Sequence, residues 1–321
     1  MANSEKMKTM IGGQALLEGI MMRGPDKDSV VLRKQEGLDV QVTPRKTRKK
    51  GSILTWPLIR GVVNFFDAQL TGIKAISKSA EDTVDEEPGR FEKWLEKKIG
   101  SEKMNKLLMS VAMVIALGFS VLLFFVVPML VGSLFEKIVN SLLVQNLIEG
   151  LIRIIIFVAY MIIIASIPDM KRVYGYHGAE HKTIRCYEAK LPLTVDNVRP
   201  MSRLHPRCGT SFLLIIVIIS ILLFSVATSV LIAVWPQVKD LQYYQLIKIG
   251  FKLLLIPLVV SIGYEFNRIV GKHDNFLTRA LSAPGMWFQH MTTKEPDDEM
   301  IEVAIAALEA VIPDEEGADK W

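Results

Sequence analysis

Two histidines and a glutamate at helical spacing are the residues of this chain best suited to chemistry. His177, Glu180 and His181 form the order His-x-x-Glu-His. In a helix, positions i, i+3 and i+4 share one face, so the three side chains would point the same way. Two imidazoles can hold a divalent ion, and the carboxylate beside them can act as a general base. The order, which is that of inverted zinc proteases, predicts a metal site with zinc as the ion. The alternative interpretation is a mixed helix face with two ordinary histidines.

A catalytic zinc site needs a third protein ligand, and four residues compete for that role. Glu265 and His205 rank first, because Glu265 ends an apolar stretch and His205 precedes another. Cys208 ranks next, since it follows His205 in the order His-Pro-Arg-Cys. Glu188 ranks last, because it lies two helical turns beyond His181. The two histidines together with His205 and Cys208 would instead make a closed, structural site.

Further polar residues surround these candidates. Lys182 and Arg207 belong to a group of basic residues that could form a rim for an anionic substrate or lipid headgroup. Glu18 and Arg23 lie in the glycine-rich segment 11–25, which we interpret as a turn, a short apolar helix and a second turn. The functional hypothesis for this segment is that both charged residues reach the site.

Composition points to a membrane. The 321 residues are 50% hydrophobic, and mean hydropathy is +0.30. Glu149 and Arg153 lie four residues apart in one apolar stretch, so they can pair on one face of a helix. Apolar stretches of spanning length predict four transmembrane helices, at 107–131, 147–167, 211–235 and 246–267.

The distribution of basic residues predicts the orientation of these spans. Segment 168–210 carries eight Lys and Arg residues, whereas segments 132–146 and 236–245 carry one each. The positive-inside rule places 168–210 and both termini in the cytoplasm. We therefore expect a multi-pass protein of the cell membrane, with Cys186 and Cys208 reduced.

The organisation outside the spans follows from local patterns. Segments 29–34 and 38–42 read as a β-hairpin, and 58–80 reads as an amphipathic helix. The basic run 43–50 predicts contact with anionic lipid headgroups rather than with nucleic acid, because no interleaved aromatic residues accompany it. An interfacial loop is expected at 284–290 and a short helix after Pro296.

These segments give four regions. Residues 1–50 form an N-terminal module with the hairpin, and 51–106 contain interfacial helices and an acidic linker. Residues 107–267 form the four-span membrane domain, with the His-x-x-Glu-His loop at 168–210. Residues 268–321 form a cytoplasmic tail. The predicted fold is an all-α polytopic membrane protein with a small N-terminal module.

Five motifs resemble the YqhQ-like family of bacterial membrane proteins. They are Gly-Gly-Gln-Ala-Leu-Leu-Glu-Gly-Ile-Met-Met-Arg at 12–23, Pro-Leu-Ile-Arg-Gly at 57–61, Tyr-His-Gly-Ala-Glu-His-Lys at 176–182, His-Pro-Arg-Cys-Gly-Thr at 205–210 and Pro-Gly at 284–285. The resemblance extends over nearly the whole chain. It implies a multi-pass membrane protein with a domain of unknown function, sometimes labelled a metal-dependent enzyme, and it assigns no substrate or catalytic residue.

Three functions are consistent with these features. The first is a metal-dependent, hydrolase-like enzyme at the cytoplasmic membrane interface, with Glu180 as the base and His177 and His181 as ligands. The second is a scaffold or assembly factor with a structural metal site. The third is a transporter, which is disfavoured because two spans lack charged residues and no pair of broken helices is evident. The substrate and any protein partner are not specified by the sequence.

Overall fold

The structure is a computed structural model that describes residues 7–45, 51–83, 97–98, 100–135, 138–315 and 317–320. The chain divides into two compact units. The first, here the sheet unit, comprises Met1–Thr83, Met161–Ser220 and Ile256–Trp321. The second, here the helical unit, comprises Val84–Tyr160 and Ile221–Leu255. Most of the predicted basic run (46–50), most of the acidic linker and residues 91–96 lie outside the described residues.

A four-stranded antiparallel sheet forms the N-terminal part of the sheet unit. Its strands pair in sequence order, and the predicted hairpin is confirmed as β3 with β4. The predicted short helix in 11–25 is wrong, because that segment forms β1 and β2, paired from Gly12 with Arg23 to Leu16 with Gly19. The strands are β1 Gly12–Leu16, β2 Gly19–Arg23, β3 Lys27–Lys34 and β4 Gly37–Pro44.

The sheet is covered on both faces, which explains the misleading pattern of β2. Ile20 and Met22 pack into the main core, whereas Met21 packs into a second, smaller core on the opposite face. A strand buried on both faces reads as a continuous apolar run, and such a run cannot be told from a buried helix by periodicity.

Helix α5, Pro168–Glu188, is the central element of the sheet unit. It begins with a proline at its first position, where the missing N–H costs no helical hydrogen bond. Every residue from Tyr174 to Ile184 is buried, the charged side chains included. The helix packs against β1, β2 and α11, Asp298–Glu309, so its motif is enclosed rather than presented on a surface.

Three further helices belong to the sheet unit. The predicted amphipathic helix is confirmed as α1, Ile59–Thr83, which contacts α9, Ile256–Lys272. The loop predicted at 284–290 is wrong, because this stretch belongs to α10, Phe276–Thr292, which tolerates Pro284 inside it. The helix predicted after Pro296 is confirmed as α11.

Four stretches are long and apolar enough to cross a membrane, in agreement with the four predicted spans. The charge pair predicted between Glu149 and Arg153 is confirmed at 2.9 Å, and both side chains are buried. The four stretches are Lys103–Ser133, Leu142–Ser166, Gly209–Val234 and Tyr244–Lys272. The first stretch covers most of α2 (Ser101–Val121), a π-helical turn at Leu122–Val126 and α3 (Val127–Ser133). The others are α4 (Leu142–Ser166), α7 (Gly209–Val234), and α8 (Tyr244–Leu254) followed by α9. The short helix α6 is Val195–Val198.

Candidate metal centre

The two histidines of α5 face one another across a single helical turn. The ring centroids of His177 and His181 are 4.4 Å apart, and both side chains are buried. Their four-residue spacing places them on one face of the helix. The sequence therefore brings the first two candidate ligands together through local structure alone.

Backbone carbonyls fix the orientation of both rings. Nδ1 of His177 lies 2.8 Å from the carbonyl oxygen of Thr292, and Nδ1 of His181 lies 2.5 Å from that of Arg203. A carbonyl oxygen can only accept, so each Nδ1 carries the proton and donates it. This leaves Nε2 of each ring as the nitrogen that can bind a metal ion once it carries no proton. A hydrogen bond of this kind is the usual support for a metal-binding histidine.

Cys208 brings a sulfur atom to the two free nitrogens. Its Sγ lies 3.2 Å from Nε2 of His177, and one ligand atom from each of His177, His181 and Cys208 lies within 4.8 Å of the others. Zinc–nitrogen and zinc–sulfur bonds of about 2.1 and about 2.3 Å put neighbouring tetrahedral ligand atoms roughly 3.5 Å apart. Small side-chain adjustments would therefore let all three atoms bind one ion.

The surroundings of Cys208 favour the thiolate. The residue precedes α7, and both the backbone N–H of Thr210, at 3.3 Å, and its hydroxyl, at 3.1 Å, lie near Sγ. Burial raises the pKa of the Cys208 thiol, but positive charge on His177 and His181 outweighs burial and lowers that pKa well below its ordinary value. Burial likewise lowers the pKa of His177, and the charge of Cys208 raises it to about 9. The thiolate is the form of cysteine that binds metals.

Glu180 lies beside the cluster without joining it. Its Oε1 accepts a hydrogen bond from the backbone N–H of Gly13 at 2.8 Å, and its buried Oε2 has no hydrogen-bond partner. Burial raises the pKa of Glu180 above its ordinary value, while the charges of His177 and His181 oppose this rise. A buried carboxylate oxygen without a partner is uncommon and marks a place where a water or an ion would be stabilised.

The glycine in β1 permits this contact. A Cβ at Gly13 would lie 2.6 Å from the carbonyl oxygen of Met21 and 3.1 Å from Cδ of Glu180. Only glycine therefore lets the strand approach the carboxylate closely enough to donate its N–H. The glycine-rich N-terminal segment thus reaches the site through the backbone of Gly13.

Gln289 of α10 holds the segment that carries Cys208, and sequence reasoning missed it. Its Oε1 accepts from the backbone N–H of His205 at 2.7 Å. Its Nε2 donates to the carbonyl of His205 at 2.7 Å and to the hydroxyl of Ser211 at 2.6 Å. The side chain is completely buried. A lone glutamine inside an apolar helix gives no local signal of such a role, because its partners lie far away in sequence.

The other candidates for the third ligand have different partners. Glu265 accepts a hydrogen bond from Nε of Arg60 at 2.7 Å. In the part of the chain that the structure describes, the group that could hold a metal ion is His177, His181 and Cys208, so it does not include Glu265. Nε2 of His205 lies 3.5 Å from Oε2 of Glu188, and its ring centroid lies 5.6 Å from that of His181. Burial lowers the pKa of His205 to about 4, so this ring is neutral near pH 7.

The predicted basic rim is largely taken up by internal ion pairs. Arg207 pairs with Glu188. Lys182 is buried, pairs with Glu295 and donates to the carbonyl of Arg199 at 2.8 Å. These contacts tie the loop after α5 to neighbouring segments.

Glu18 and Arg23 are likewise engaged in ion pairs. Glu18 pairs with Arg172 at 2.5 Å and accepts from the hydroxyl of Tyr176 at 3.1 Å. Arg23 donates to Asp67 at 2.8 Å. Both residues therefore connect the sheet to helices, Glu18 to α5 and Arg23 to α1.

Comparisons with known proteins agree with the resemblance. A family model described as "Protein of unknown function (DUF1385)" matches residues 56–314. The "Uncharacterized protein YqhQ" of Bacillus subtilis (strain 168) is 34% identical over 317 residues, covering 97% of this chain and 94% of that protein. No solved structure matches the chain. A family match over most of the length, with a relative that aligns almost end to end, shows that this chain belongs to the YqhQ-like DUF1385 family, whose function is not known.

Proposed function

We propose that the sheet unit binds one zinc ion through His177, His181 and Cys208. The observation that carries this proposal is the convergence of two imidazole rings and one cysteine sulfur, with both rings held by backbone carbonyls at Nδ1. Two neutral imidazoles and a thiolate are a donor set that zinc prefers.

The catalytic form of this proposal gives Glu180 the role of general base. Three protein ligands leave a fourth position open, and zinc supplies a Lewis acid there. Glu180 is not in the ligand group, its Oε2 is free to accept a proton, and its raised pKa brings it nearer to neutral pH. The reaction class that suits this arrangement is hydrolysis, with Glu180 taking a proton from water.

A structural zinc site is the second candidate, and the burial of the cluster favours it. His177, His181 and Cys208 are each at most 8% exposed, so a substrate would need an opening. In this form the ion joins α5 to the segment before α7, and the protein acts as a scaffold or assembly factor. Glu180 would then serve only to neutralise the site.

We further propose that the protein spans the cell membrane four times, with the metal centre and both termini in the cytoplasm. The four apolar stretches support the spans, and the basic residues in 168–210 support the orientation. Anionic lipid headgroups are the expected partners of the basic run 43–50.

Metal content tests the zinc site, and the two cysteines provide a matched pair. We expect purified wild type and Cys186→Ser to hold about one zinc per chain, since Cys186 is buried outside the cluster. Cys208→Ser should lose the metal, because a serine hydroxyl is a far poorer zinc ligand than a thiolate. Elemental analysis by mass spectrometry measures this ratio. Wild type without stoichiometric metal, or Cys208→Ser with unchanged metal, would refute the site.

Replacing zinc with cobalt distinguishes a catalytic metal site, with an open fourth position, from a closed structural site. If the fourth position is open, a small hydroxamate added to the cobalt-loaded protein should change its visible absorption, and a closed site should not respond. Glu180→Gln should retain cobalt in either form, because Glu180 is not a ligand. Loss of the metal in Glu180→Gln would contradict the role given to this residue.

A further inference from the structure

A second group of buried charges lies within the helical unit. It contains Glu149 and Arg153 of α4 with Lys248 and Lys252 of α8, each at most 6% exposed. Oε1 of Glu149 accepts hydrogen bonds from Nη2 of Arg153 at 2.9 Å and from Nζ of Lys252. Nζ of Lys248 lies 3.7 Å from Oε2 of Glu149, which is longer than a hydrogen bond.

The charges of this group do not balance. Three cations face one carboxylate, so two positive charges remain, and Glu149 is the only buried carboxylate in the part of the helical unit that the structure describes. Buried charges are expensive unless they are paired. Arg153 gains a further hydrogen bond to a backbone carbonyl at 2.9 Å and lies over two phenylalanine rings. Lys248 is the cation least compensated by Glu149.

Lys248 lines a narrow polar cavity. Glu149, Asn146 and Thr228 line the same cavity, which has a volume of about 20 Å³ and is partly open to solvent. The hydroxyl of Thr228 is buried and has no hydrogen-bond partner, although this side chain is only 1% exposed. A cation and an unsatisfied hydroxyl in one cavity indicate an anionic ligand with acceptor oxygens. The space takes about one water-sized group, so one oxygen of an oxyanion would enter it while the rest of the group stays at the open side.

An apolar groove lies beside this cavity, and one hydrogen bond joins a residue of the cavity wall to a residue of the groove wall. Nδ2 of Asn146, which lines the cavity, donates to the carbonyl oxygen of Ser225 at 3.5 Å. Ser225 lines the groove, together with Leu143, Val226 and Val230. The groove encloses about 580 Å³ of empty space, including open solvent, and its walls are mostly aliphatic. A polar cavity for a charged group beside a groove for a hydrocarbon matches the two parts of a lipid.

We propose that this site binds a phospholipid, with its phosphate beside Lys248 and Thr228 and part of an acyl chain in the groove. The phosphate neutralises charge that Glu149 leaves uncompensated and gives the Thr228 hydroxyl an acceptor. The site uses none of the metal-centre residues.

The depth of the site agrees with this ligand. Lys248 lies four residues after Tyr244, where α8 begins, and Glu149 lies seven residues after Leu142, where α4 begins. At 1.5 Å per residue these side chains lie roughly 6–11 Å from the helix ends. Both side chains therefore lie toward one end of their spans, on the side of a headgroup region, and not at the middle of the hydrocarbon core.

Native mass spectrometry of the full-length protein in detergent tests the proposal. The probes are phosphatidylglycerol, a neutral diacylglycerol and inorganic phosphate. We expect wild type to retain one phosphatidylglycerol, and Lys248→Gln to bind it roughly tenfold more weakly or worse, because a charge-assisted hydrogen bond is lost. Lys239→Gln is the matched control, since this lysine is exposed in the turn before α8 and lines neither the cavity nor the groove. It should bind phosphatidylglycerol like wild type.

A second variant separates ligand binding from folding. Thr228→Val keeps the shape of a side chain whose hydroxyl has no partner, so thermal stability without lipid should be unchanged or higher. Its affinity for phosphatidylglycerol should still fall several-fold. Equal binding by wild type, Lys248→Gln and Thr228→Val would overturn the proposal. Retention of diacylglycerol as well as phosphatidylglycerol would also overturn it, as would binding of inorganic phosphate without phosphatidylglycerol.

Discussion

The direction of two ring nitrogens decides what the histidine motif can bind. The carbonyls of Thr292 and Arg203 accept hydrogen bonds from Nδ1 of His177 and of His181, respectively. Both Nε2 atoms then face the sulfur of Cys208. A helix alone does not set this direction, because an imidazole can rotate. The carbonyls belong to segments distant in sequence, so the tautomers depend on tertiary packing.

Gly178 lies inside the same motif, and replacing it should destabilise the helix that carries the candidate ligands His177 and His181. A Cβ at Gly178 would overlap the carbonyl oxygen of Lys294, a backbone atom that cannot move without displacing its chain. We expect Gly178→Ala to lower the free energy of unfolding by about 1–3 kcal/mol, as overpacked sites do. Thermal unfolding in detergent measures the change.

Gly250 offers the matched control for this substitution. It lies in α8, and a Cβ there meets nothing within 4 Å. Gly250→Ala should therefore be neutral or stabilising by up to about 1 kcal/mol, because alanine is the better helix former. Equal destabilisation by both substitutions would contradict the packing argument.

Glu18 should make stability depend on acid pH. The hydrogen bond from Arg172 lowers the pKa of this carboxyl, so the folded state favours the ionised form. Its stabilising contribution is present above the unfolded pKa of about 4.5 and is lost as pH falls through the lower folded pKa. Because Arg172 is 56% exposed, we expect Glu18→Gln to cost at most about 1 kcal/mol at pH 7.

Unfolding measured from pH 7 to pH 3 checks this expectation. The difference between wild type and Glu18→Gln should shrink toward zero as the medium becomes acidic. Glu315→Gln, at an exposed carboxylate near the C-terminus, should follow wild type throughout. A difference that stays constant with pH would show that the carboxylate charge of Glu18 is not what stabilises the fold.

Helix α10 positions the segment before α7, and no local pattern in its sequence indicates this role. Gln289 satisfies the backbone N–H and carbonyl of His205 and the hydroxyl of Ser211, and so positions the segment that leads to Cys208. The segment 284–290 resembled a loop because it contains Pro-Gly. In the structure Pro284 lies within the helix, and Gly285 allows close approach to Ser211, where a Cβ would lie 2.7 Å from the Cβ of that serine.

Gln289→Ala should weaken both the fold and the metal site. It leaves the buried backbone N–H of His205 without a partner and removes one of the two hydrogen bonds to its carbonyl, which we expect to cost about 1–3 kcal/mol. Because Gln289 is a positioning residue, zinc affinity should fall roughly 10- to 100-fold, as it does when support outside the ligand set is lost. Competition with a chromogenic chelator measures the affinity.

The exposed Gln237 provides a control on the same type of side chain. Gln237→Ala should leave zinc affinity and unfolding unchanged, because the residue lies in the exposed turn between α7 and α8. Unchanged zinc affinity in folded Gln289→Ala would show that the segment before α7 is held by its other contacts.

For the whole molecule, orientation in the membrane is the property that labelling can test directly. Both native cysteines are buried, so wild type should react slowly with a membrane-impermeant maleimide. We expect Lys239→Cys to be labelled in intact cells and Ala189→Cys only after permeabilisation, because the proposed orientation puts the basic segment 168–210 in the cytoplasm.

The opposite labelling pattern would place the metal centre outside the cytoplasm. Labelling of both variants in intact cells would contradict the predicted arrangement of the spans. Unlabelled wild type under each condition is the control that assigns the signal to the introduced cysteine.

Local patterns in the sequence were sufficient for the elements that depend on local physics. The four helical stretches of spanning length follow from length and hydropathy, the β3–β4 hairpin from alternation around a glycine turn, and the pair of histidines from helical periodicity. The resemblance to the YqhQ-like family also came from local motifs, and it is confirmed over nearly the full length.

Tertiary structure decided what local patterns leave open. Cys208 joins the histidines while Glu265 pairs with Arg60, although topology had ranked Glu265 above Cys208. The β1–β2 hairpin replaces a predicted helix because covering both faces of the sheet removes the alternation that marks a strand. In each case the deciding contacts join residues far apart in the chain, and the energy of burying and pairing them is absent from any short window of sequence.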